Sequence, residues 1–338
     1  MSVIIPMFNA ENSIERCVES VITEYPDRVE VILIDDGSAD GTKEKCISLQ
    51  DKFKTIKYYH QLNSGVSKAR NAGIEHACGK WIMFVDADDY LEKGTIDLCL
   101  RAVREDPADM YCFGTTRDYV EGNSLRGRKV VQYPIFDNCE NDMTCLDAED
   151  DLKTTLKNDV FDTACGKLFR NDVIKQNAVA FDDVMKYRED SVFVLEYCLH
   201  VRKICLMRWA GYHYQIENDE TYHFRRNVEI YEIKKLYDAY RALIEKSGKE
   251  FEETDRKICS FIFQVLLCGI IHNSAIRFSG STKKVRNYLE DAVADDCVYA
   301  CLMKSSSRSR FLSVIIALLR KRMTGTVAVI CHWRFKDM

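Results

Sequence analysis

The sequence predicts an α/β protein: a doubly wound, mainly parallel sheet followed by a helical C-terminal region. Three observations carry that prediction. Apolar, strand-like runs alternate with helix-period segments through roughly the first ninety residues. Two of those runs, Val29 to Ile34 and Trp81 to Val85, break off in carboxylates: Asp35 and Asp36 after the first, Asp86, Asp88 and Asp89 after the second. From about Val228 the apolar period becomes helical.

The elements follow in order. Ser2-Val3-Ile4-Ile5-Pro6 reads as a first strand, and Pro6 is expected to stop it because proline donates nothing to a ladder. Met7-Phe8-Asn9 is a loop. Asn12 or Ser13 stands where it can cap an amphipathic helix with Ile14, Cys17, Val18 and Val21 on one face. Pro26 and Asp27 mark a turn into the second strand, Val29 to Ile34, which runs into Asp35-Asp36-Gly37-Ser38. A helix is expected from about Thr42 and a third strand at Thr55 to His60. The polar stretch Asn63 to Gly73 feeds a short helix, and Trp81 to Val85 reads as a buried strand. Right-handed connections put the strand C-termini on one edge. Pro6–Asn9, Asp35–Ser38 and Asp86–Asp89 are therefore expected to converge on one crevice, where open α/β sheets bind ligands.

The chemistry of these ends has two readings each. Asp86 and Asp88, two hard oxygen donors one residue apart, suit a Mg²⁺ or Mn²⁺ ion carrying a diphosphate. The same acids also suit a solvated turn in which Asp88 or Asp89 caps the next helix. Asp35 and Asp36 suit a helix N-terminus, where the macrodipole favours acids. An ionised carboxylate is also acceptor-only, so it suits a nucleobase edge that offers a donor. Lys68 and Arg70 are either charges beside the crevice or a solvated basic helix face.

Four motifs in order, Ser-Val-Ile-Ile-Pro-x-Phe-Asn, Ile-Asp-Asp-Gly-Ser-x-Asp-Gly-Thr, Asn-x-Gly-x-Ser-x-Ala-Arg-Asn-x-Gly and Phe-x-Asp-x-Asp-Asp-Tyr-Leu, resemble glycosyltransferase family two. These are inverting sugar transferases of the GT-A fold that use nucleotide-activated sugars. The resemblance is close over residues 2–100 and looser over 160–226. It implies that Pro6, Phe8 and Asn9 line the base and ribose of a nucleotide-sugar donor, a UDP-sugar, and that Asp36 reads the base. It implies that Arg70 holds Asp36 or the base, that Lys68 approaches phosphate, that Asp86 faces the ribose and that Asp88 ligates Mn or Mg. Asp89 is left as a helix cap or a supporting acid. Farther on, Gly166-Lys167-Leu168-Phe169-Arg170, Glu189-Asp190-x-x-Phe193 and Gly211-Tyr212-His213-Tyr214 also resemble the family. Asp190 becomes the general base for a saccharide acceptor, with Glu189 orienting it; read locally, the pair is an acidic helix start. Gly166 stands where many relatives carry Asn. His213 and the polar loop 217–226, with His223, Arg225 and Arg226, resemble a segment that closes over the diphosphate.

Two other classes compete. One is a non-catalytic nucleotide-sugar-binding scaffold in a polysaccharide assembly complex, against which Asp86, Asp88 and Asp190 argue. The other is a sugar-phosphate nucleotidyltransferase, which wants a glycine-rich loop after the first strand. Pro6-Met7-Phe8-Asn9 stands there instead, and this also excludes a dinucleotide oxidoreductase.

Length and charge set the frame. The 338 residues suit two domains: 1–226, with 1–100 as its nucleotide-binding half and 101–226 as its acceptor half, and a helical region 227–338. A net charge of −5 argues against a broadly basic nucleic-acid binder. The 15 cysteines include no Cys-x-x-Cys pair and lie in apolar segments, which suits a reduced compartment. The first strand follows Met1 directly, without a leader, so the expected location is cytoplasmic. Ile230, Ile233, Leu236, Tyr237 and Tyr240 form a helical stripe. Residues 258–272 form an apolar helix shorter than the roughly 20 residues a span needs, so a buried helix is expected. Cys297 to Lys336 holds no acid but eight Lys and Arg, with Phe311 to Leu319 between basic clusters. Residues 304–338 thus suit either an interfacial helix on an anionic membrane or a helix packed on the protein with a solvated basic end. The family resemblance, with its lipid-linked acceptors, places such a membrane at the inner face of the cell.

Overall fold

The computed structural model describes residues 1–23, 25–105, 107–121, 124–132, 143–148, 160–217, 227–248 and 252–338. The chain divides into two units, Met1–Val184 with Glu189–Asn218, and Met185–Arg188 with Asp219–Met338.

In the first unit β1 (Ser2–Met7), α1 (Ile14–Ile22), β2 (Glu30–Asp35), α2 (Thr42–Lys52), β3 (Ile56–His60), α3 (Val66–His76) and β4 (Trp81–Phe84) alternate as the sequence predicts. There follow β5 (Tyr90–Leu91), α4 (Thr95–Glu105), β6 (Met110–Glu121), β7 (Ser124–Val131), β8 (Met143–Asp147), β9 (Lys167–Arg170), α5 (Asn171–Gln176), α6 (Glu189–Cys198) and β10 (Lys203–Glu217). β6 is far longer than the short strand expected at Asp109 to Gly114. The sheet order is β3-β2-β1-β4-β9-β6-β10-β5, with β7 beside β6 and β8 beside β10. β3, β2, β1 and β4 form a parallel block. β9 joins antiparallel to both β4 and β6, and β6 runs parallel to β10. The strand order reverses between β1 and β4, and crevices open at the carboxyl ends of such a switch point.

Pro6 does not end β1, and the ladder shows why. The Met7 carbonyl accepts from Asp36 N–H on the β2 side, and the Ile4 carbonyl accepts from Val85 N–H on the β4 side. Pro6 shares the parity of Ile4, so its missing N–H would face β4. β4 pairs with β1 only as far as Ile4 opposite Phe84. No ladder bond is lost, and Pro6 stays in register with Ile34.

The core of this unit forms between the sheet and its helices. Val3, Ile4, Ile5, Ile32 and Leu33 are fully buried, as are Ile14, Cys17 and Val18 from the apolar face of α1. A cluster of rings sits under the switch point. Phe84 of β4 meets Phe181 and Phe193 edge-on at 5.2 and 5.7 Å, and Phe181 stacks on Phe193 at 4.0 Å. Phe169 of β9 meets Phe193 at 5.4 Å. These edge-to-face contacts fix α6 against the sheet. α6 is buried nearly all round, as its Ser191-Val192-Phe193-Val194-Leu195 run requires.

The cysteines differ from a uniformly reduced set. Cys145 and Cys205 oppose one another across β8 and β10 and form a disulfide. Their sequence separation of 60 hides this pairing from a search for short spacings. The other cysteines among the described residues are free.

The second unit is helical: α7 (Ile230–Lys246), α8 (Glu252–Ser274), α9 (Thr282–Ala294), α10 (Asp296–Lys304), α11 (Arg310–Arg320) and α12 (Thr324–Phe335). Glu232 organises its start. Its side chain takes part in a capping box with Glu229, and one of its oxygens accepts from the N–H groups of Lys186 and Tyr187 at 2.5 and 3.0 Å. α8 is longer than expected because the polar turn Glu252–Lys257 continues the helix. Its stretch Asp255–Ser274 is long and apolar enough to cross a membrane by length and composition. Ile258, Ile262, Phe263, Leu266 and Ile270 of that stretch are buried among the neighbouring helices, which is how a core helix packs.

Gly73 gives a test of the α3–β1 contact. A Cβ there would lie 2.3 Å from Ile4 Cγ2. Ala is the better helix former by about 1 kcal/mol, so propensity alone predicts that Gly73→Ala stabilises. Overpacking a filled core costs about 1–3 kcal/mol, and at 2.3 Å the clash should win. Denaturant unfolding should show a net loss of about 1–2 kcal/mol; a gain in stability would mean that α3 and β1 do not approach this closely.

Candidate active site

β4 ends where its apolar run ends, and the chain turns through Asp86-Ala87-Asp88-Asp89, with Asp89 N–H bonded back to the Asp86 carbonyl at 3.0 Å. The three carboxylates of this turn have different surroundings. Asp86 is half-buried; its Oδ1 accepts from Arg70 Nη2 at 2.9 Å, and its Oδ2 accepts from Cys165 Sγ at 3.6 Å. Asp88 is exposed. Asp89 is fully buried and accepts from the Tyr212 hydroxyl at 2.6 Å and from Gln215 N–H at 2.9 Å. Burial, with the nearby charges of Asp86 and Asp88, pushes the Asp89 carboxyl up to about 9, against the pull of those two hydrogen bonds.

Arg70 projects from α3 and is 4% exposed. Its Nη1 donates to Asp190 Oδ1 at 2.6 Å and lies 3.5 Å from Glu189 Oε1, while Nη2 holds Asp86. The guanidinium carbon stands 5.2 Å from the centre of the Phe181 ring. Burial opposes the charge, but Asp190 and Asp86 outweigh it and push the Arg70 pKa up. Arg70 Nε has no hydrogen-bond partner among the described residues. Asp190 Oδ2 is held more loosely, at 3.3 Å from both the Thr163 hydroxyl and the Ala164 N–H. The buried Lys167 in turn fixes Thr163 by donating to its carbonyl at 2.5 Å.

Gly166, next to Lys167, adopts φ +69°. A Cβ there would stand 3.1 Å from the Phe113 carbonyl oxygen. Gly and Asn are the residues that enter this left-handed region most readily.

The other predicted residues are placed as follows. Pro6 and Phe8 lie at and just beyond the end of β1, Phe8 being 52% exposed. Asn9, at φ +52°, receives the Ala39 N–H on its Oδ1 and gives its own N–H to Ser38 Oγ, tying the first loop to the second. Asp36 is buried; Oδ1 accepts from Gln61 Nε2 and Ser64 N–H and Oδ2 from Gly65 N–H, each at 2.8 Å. Asp35 holds its own loop through Ser38 N–H and the Tyr58 hydroxyl. Lys68 is exposed and pairs with Asp183 at 3.5 Å.

Two expectations change. Arg70 does not hold Asp36; it joins Asp86, Glu189 and Asp190, because the rings beneath α6 bring that helix start against α3. His213 is not part of a closing segment. It is 2% exposed within β10, with ring nitrogens 2.8 Å from Asp118 and 2.9 Å from Glu92, and it stacks on Tyr90 at 4.3 Å. Loop residues 218–226, including His223, Arg225 and Arg226, lie outside the described residues.

Three site residues were given no role from the sequence, although Tyr212 lies in the Gly211–Tyr214 motif. Arg16 Nη2 donates to the Asp88 carbonyl at 2.7 Å and to Gln215 Oε1 at 3.0 Å. The Tyr212 hydroxyl accepts from Asp86 N–H at 3.1 Å while donating to Asp89. Thr163 supports Asp190. Only the helical position of Arg16, one turn from the first loop, hinted at its reach.

Among the described residues no three His, Cys, Asp or Glu side chains form a ready metal cage. Asp86 and Asp88 offer hard oxygen donors one residue apart in the turn after β4. That donor set fits an ion such as Mg²⁺, which takes one or two carboxylates and completes its shell with phosphate oxygens and water.

Comparison with known proteins gives a consistent picture. Residues 2–177 match the family model for glycosyl transferase family 2. The uncharacterized glycosyltransferase EpsJ of Bacillus subtilis (strain 168) is 27% identical over 348 aligned positions, covering 99% of this chain and 96% of EpsJ. The poly(ribitol-phosphate) beta-glucosyltransferase of Bacillus spizizenii is 27% identical over 76% of this chain and 38% of its own length. Among solved structures, residues 1–349 of S. aureus TarS in complex with UDP-GlcNAc superpose with a TM-score of 0.66 at 18% identity, over 97% of this chain and 89% of that one. The last likeness shows a shared GT-A-type fold.

Arg70→Ala strands three partly buried carboxylates and should destabilise the chain by about 3–5 kcal/mol. Arg70→Lys restores charge without the two-armed fork and should recover part of the loss. Adding Asp190→Ala to Arg70→Ala should cost less than the sum of the two single changes; additive denaturation free energies would dissolve the proposed coupling. Asp89 gives a pH test, best made with a chelator present. The folded chain keeps a proton on Asp89 that the unfolded chain releases near pH 4. This contribution to stability is therefore full below about pH 4 and drains away as pH rises toward 9. Asp89→Asn should flatten that slope in melting temperature, and an unchanged slope would place the titration elsewhere.

Proposed function

The chain belongs to glycosyl transferase family 2, and on that premise we propose that it is an inverting, metal-dependent transferase. It would move a sugar from a UDP-sugar to a saccharide acceptor in surface-polysaccharide assembly. The observation that carries this reading is the junction of Asp86 and Asp190 through one buried guanidinium at the carboxyl edge of the parallel block. The naming of one relative as a poly(ribitol-phosphate) beta-glucosyltransferase supports a surface-polymer acceptor. The fold shared with TarS, crystallised with UDP-GlcNAc, supports a UDP-sugar donor.

In this reading the acceptor hydroxyl approaches Asp190 Oδ2, the loosely held oxygen, while Oδ1 stays bound to Arg70. Asp190 takes the hydroxyl proton as the acceptor oxygen bonds to the anomeric carbon. The bond from that carbon to the diphosphate oxygen breaks on the opposite face, so the configuration inverts and UDP departs. Glu189, 3.5 Å from the same guanidinium, keeps Arg70 and Asp190 in place. Pro6, Phe8 and Asn9 would border the base and ribose, and Asp86 would face the ribose. Asp36 has two donors on Oδ1 and one on Oδ2, so Oδ2 is the atom with room for a uracil N–H. Asp88, with Asp86 beside it, would hold Mg²⁺ or Mn²⁺, which when bound neutralises charge growing on the departing diphosphate. Lys68 is turned to Asp183 and would have to leave that exposed pair to reach phosphate.

The first test is a thermal-shift panel of nucleotides with and without Mn²⁺. A ligand that binds the folded state raises the melting temperature. UDP should give a shift that needs metal and disappears in Asp88→Ala. A shift with GDP but not UDP would overturn the Asp36 assignment, no shift with any nucleotide would overturn the donor reading, and a UDP shift with no transfer to any acceptor would favour the scaffold. The second test is turnover. Asp190→Asn should keep the UDP shift while sugar transfer falls by about 10²–10⁴-fold; transfer at the wild-type rate would remove Asp190 as the base.

A further inference from the structure

We propose that the second unit docks on an anionic phospholipid bilayer through the outer face of the α11–α12 hairpin. Ile315, Ile316 and Leu319 of α11 and Val327, Ala328 and Cys331 of α12 are buried and hold the two helices on their unit. Phe311 at the start of α11 meets Phe335 at the end of α12, with ring centres 6.0 Å apart, so the pair runs antiparallel. A second apolar set faces outward. Val314 is 54% exposed, Val329 51% and Trp333 72%, and Met323 in the connecting turn is 42% exposed. Phe311 and Leu318, spaced three and four residues from Val314, are half-buried, as is Ile330 beside Val329. An amphipathic helix that has already buried its core stripe has no need of this second one.

Charge identifies the occupant. Residues 297–336 carry eight basic and no acidic side chains, a charge of +8, in a chain of net charge −5; the remaining 298 residues therefore carry −13. Three of the eight are engaged with the fold: Lys304 pairs with Asp255, Arg320 donates to the carbonyls of Leu302 and Ser305, and the Arg322 guanidinium stands 4.5 Å from the centre of the Tyr299 ring. The others, Arg308, Arg310, Lys321, Arg334 and Lys336, lie at the helix ends around the outward apolar set. Lys336 Nζ stands 4.4 Å from the centre of the Trp333 ring. An apolar strip rimmed by cations and ending in an indole matches a bilayer interface, with side chains in the acyl boundary and cations at anionic headgroups. Neither helix, at 11 and 12 residues, reaches the roughly 20 that a span needs, so both would lie in the plane of the surface. A second copy of the chain is the weaker occupant. A two-fold interface sets a patch against itself, here mainly cations against cations, with Asp337 the one acid in residues 304–338.

The test uses the full chain. It is co-sedimented with large vesicles of phosphatidylcholine alone and of equal parts phosphatidylcholine and phosphatidylglycerol. Binding should be confined to the mixed vesicles and weaken as salt is raised. The double variant Lys321→Glu/Arg334→Glu should partition at least about tenfold more weakly. Val329→Ser/Trp333→Ser should lose a comparable factor, together with any blue shift of tryptophan emission on the vesicles. All four side chains are largely exposed, so the variants should melt near the wild-type temperature. No sedimentation of the wild type, binding indifferent to salt, or equal partition of wild type and both variants overturns the proposal. A dimer seen by light scattering without lipid, and broken by the same substitutions, would instead make this face a contact between copies.

Discussion

Three carboxylates from two distant parts of the chain, Asp86 after β4 and Glu189 and Asp190 at the start of α6, cannot share a partly buried place without a counter-charge. Arg70 supplies it from α3, with two arms engaged and its body against Phe181. The arrangement has a requirement on each side. The guanidinium is worth burying only because it satisfies charge on several sides, and the carboxylates stay close only because it is there. What keeps the partners within reach is apolar: the Phe84, Phe169, Phe181 and Phe193 rings lock α6 to β4 and β9. The polar site is thus positioned by the packing beneath it.

β10 secures the other side of the acid turn. Tyr212 accepts from Asp86 N–H and donates to Asp89, Gln215 N–H reaches Asp89, and Gln215 Oε1 receives Arg16, which also holds the Asp88 carbonyl. The backbone at 86 and 88 and the side chain at 89 are all fastened from outside the turn. The Asp88 side chain is exposed, on a backbone that Arg16 holds at its carbonyl.

The strand ends were legible because an apolar run that breaks into acids needs no long-range information. The alternation implies a parallel sheet, and the convergence of the three loops follows from its strand C-termini sharing an edge; the order β3-β2-β1-β4 is set by pairing that the alternation does not encode. The partners of Arg70 were not legible. They lie 16 and 120 residues away, and nothing local distinguishes an arginine aimed at Asp36 from one aimed at Asp190. His213 illustrates the same limit. Its neighbours suggested a mobile loop, but two acids from β6 and the end of β5 fix it. Pro6 failed as a stop signal because the rule concerns a donor facing a partner strand, and here no partner is present on that side. Cys145 and Cys205 meet only because β8 pairs beside β10, a pairing set by tertiary register.

Asp86, Asp88 and Asp89 are three acids within four consecutive positions, with their mutual repulsion to accommodate. A turn could spread them into water, but this one directs them to three different places: Asp86 to Arg70, Asp88 to solvent, Asp89 beneath β10. The buried member is Asp89, whose carboxyl is pushed up to about 9 by burial and by the charges of Asp86 and Asp88. A neutral Asp89 can pack under the turn without adding a third charge. Replacing the role of Asp89 by a fully apolar residue would leave the Tyr212 hydroxyl and Gln215 N–H without acceptors, at about 1–3 kcal/mol for each buried group. A protonated carboxyl satisfies both and adds no field at the point where the diphosphate would sit. The acid cluster is therefore a division of labour among three identical side chains, set by burial and partner: Asp86 on Arg70, Asp88 exposed, and Asp89 buried beneath β10.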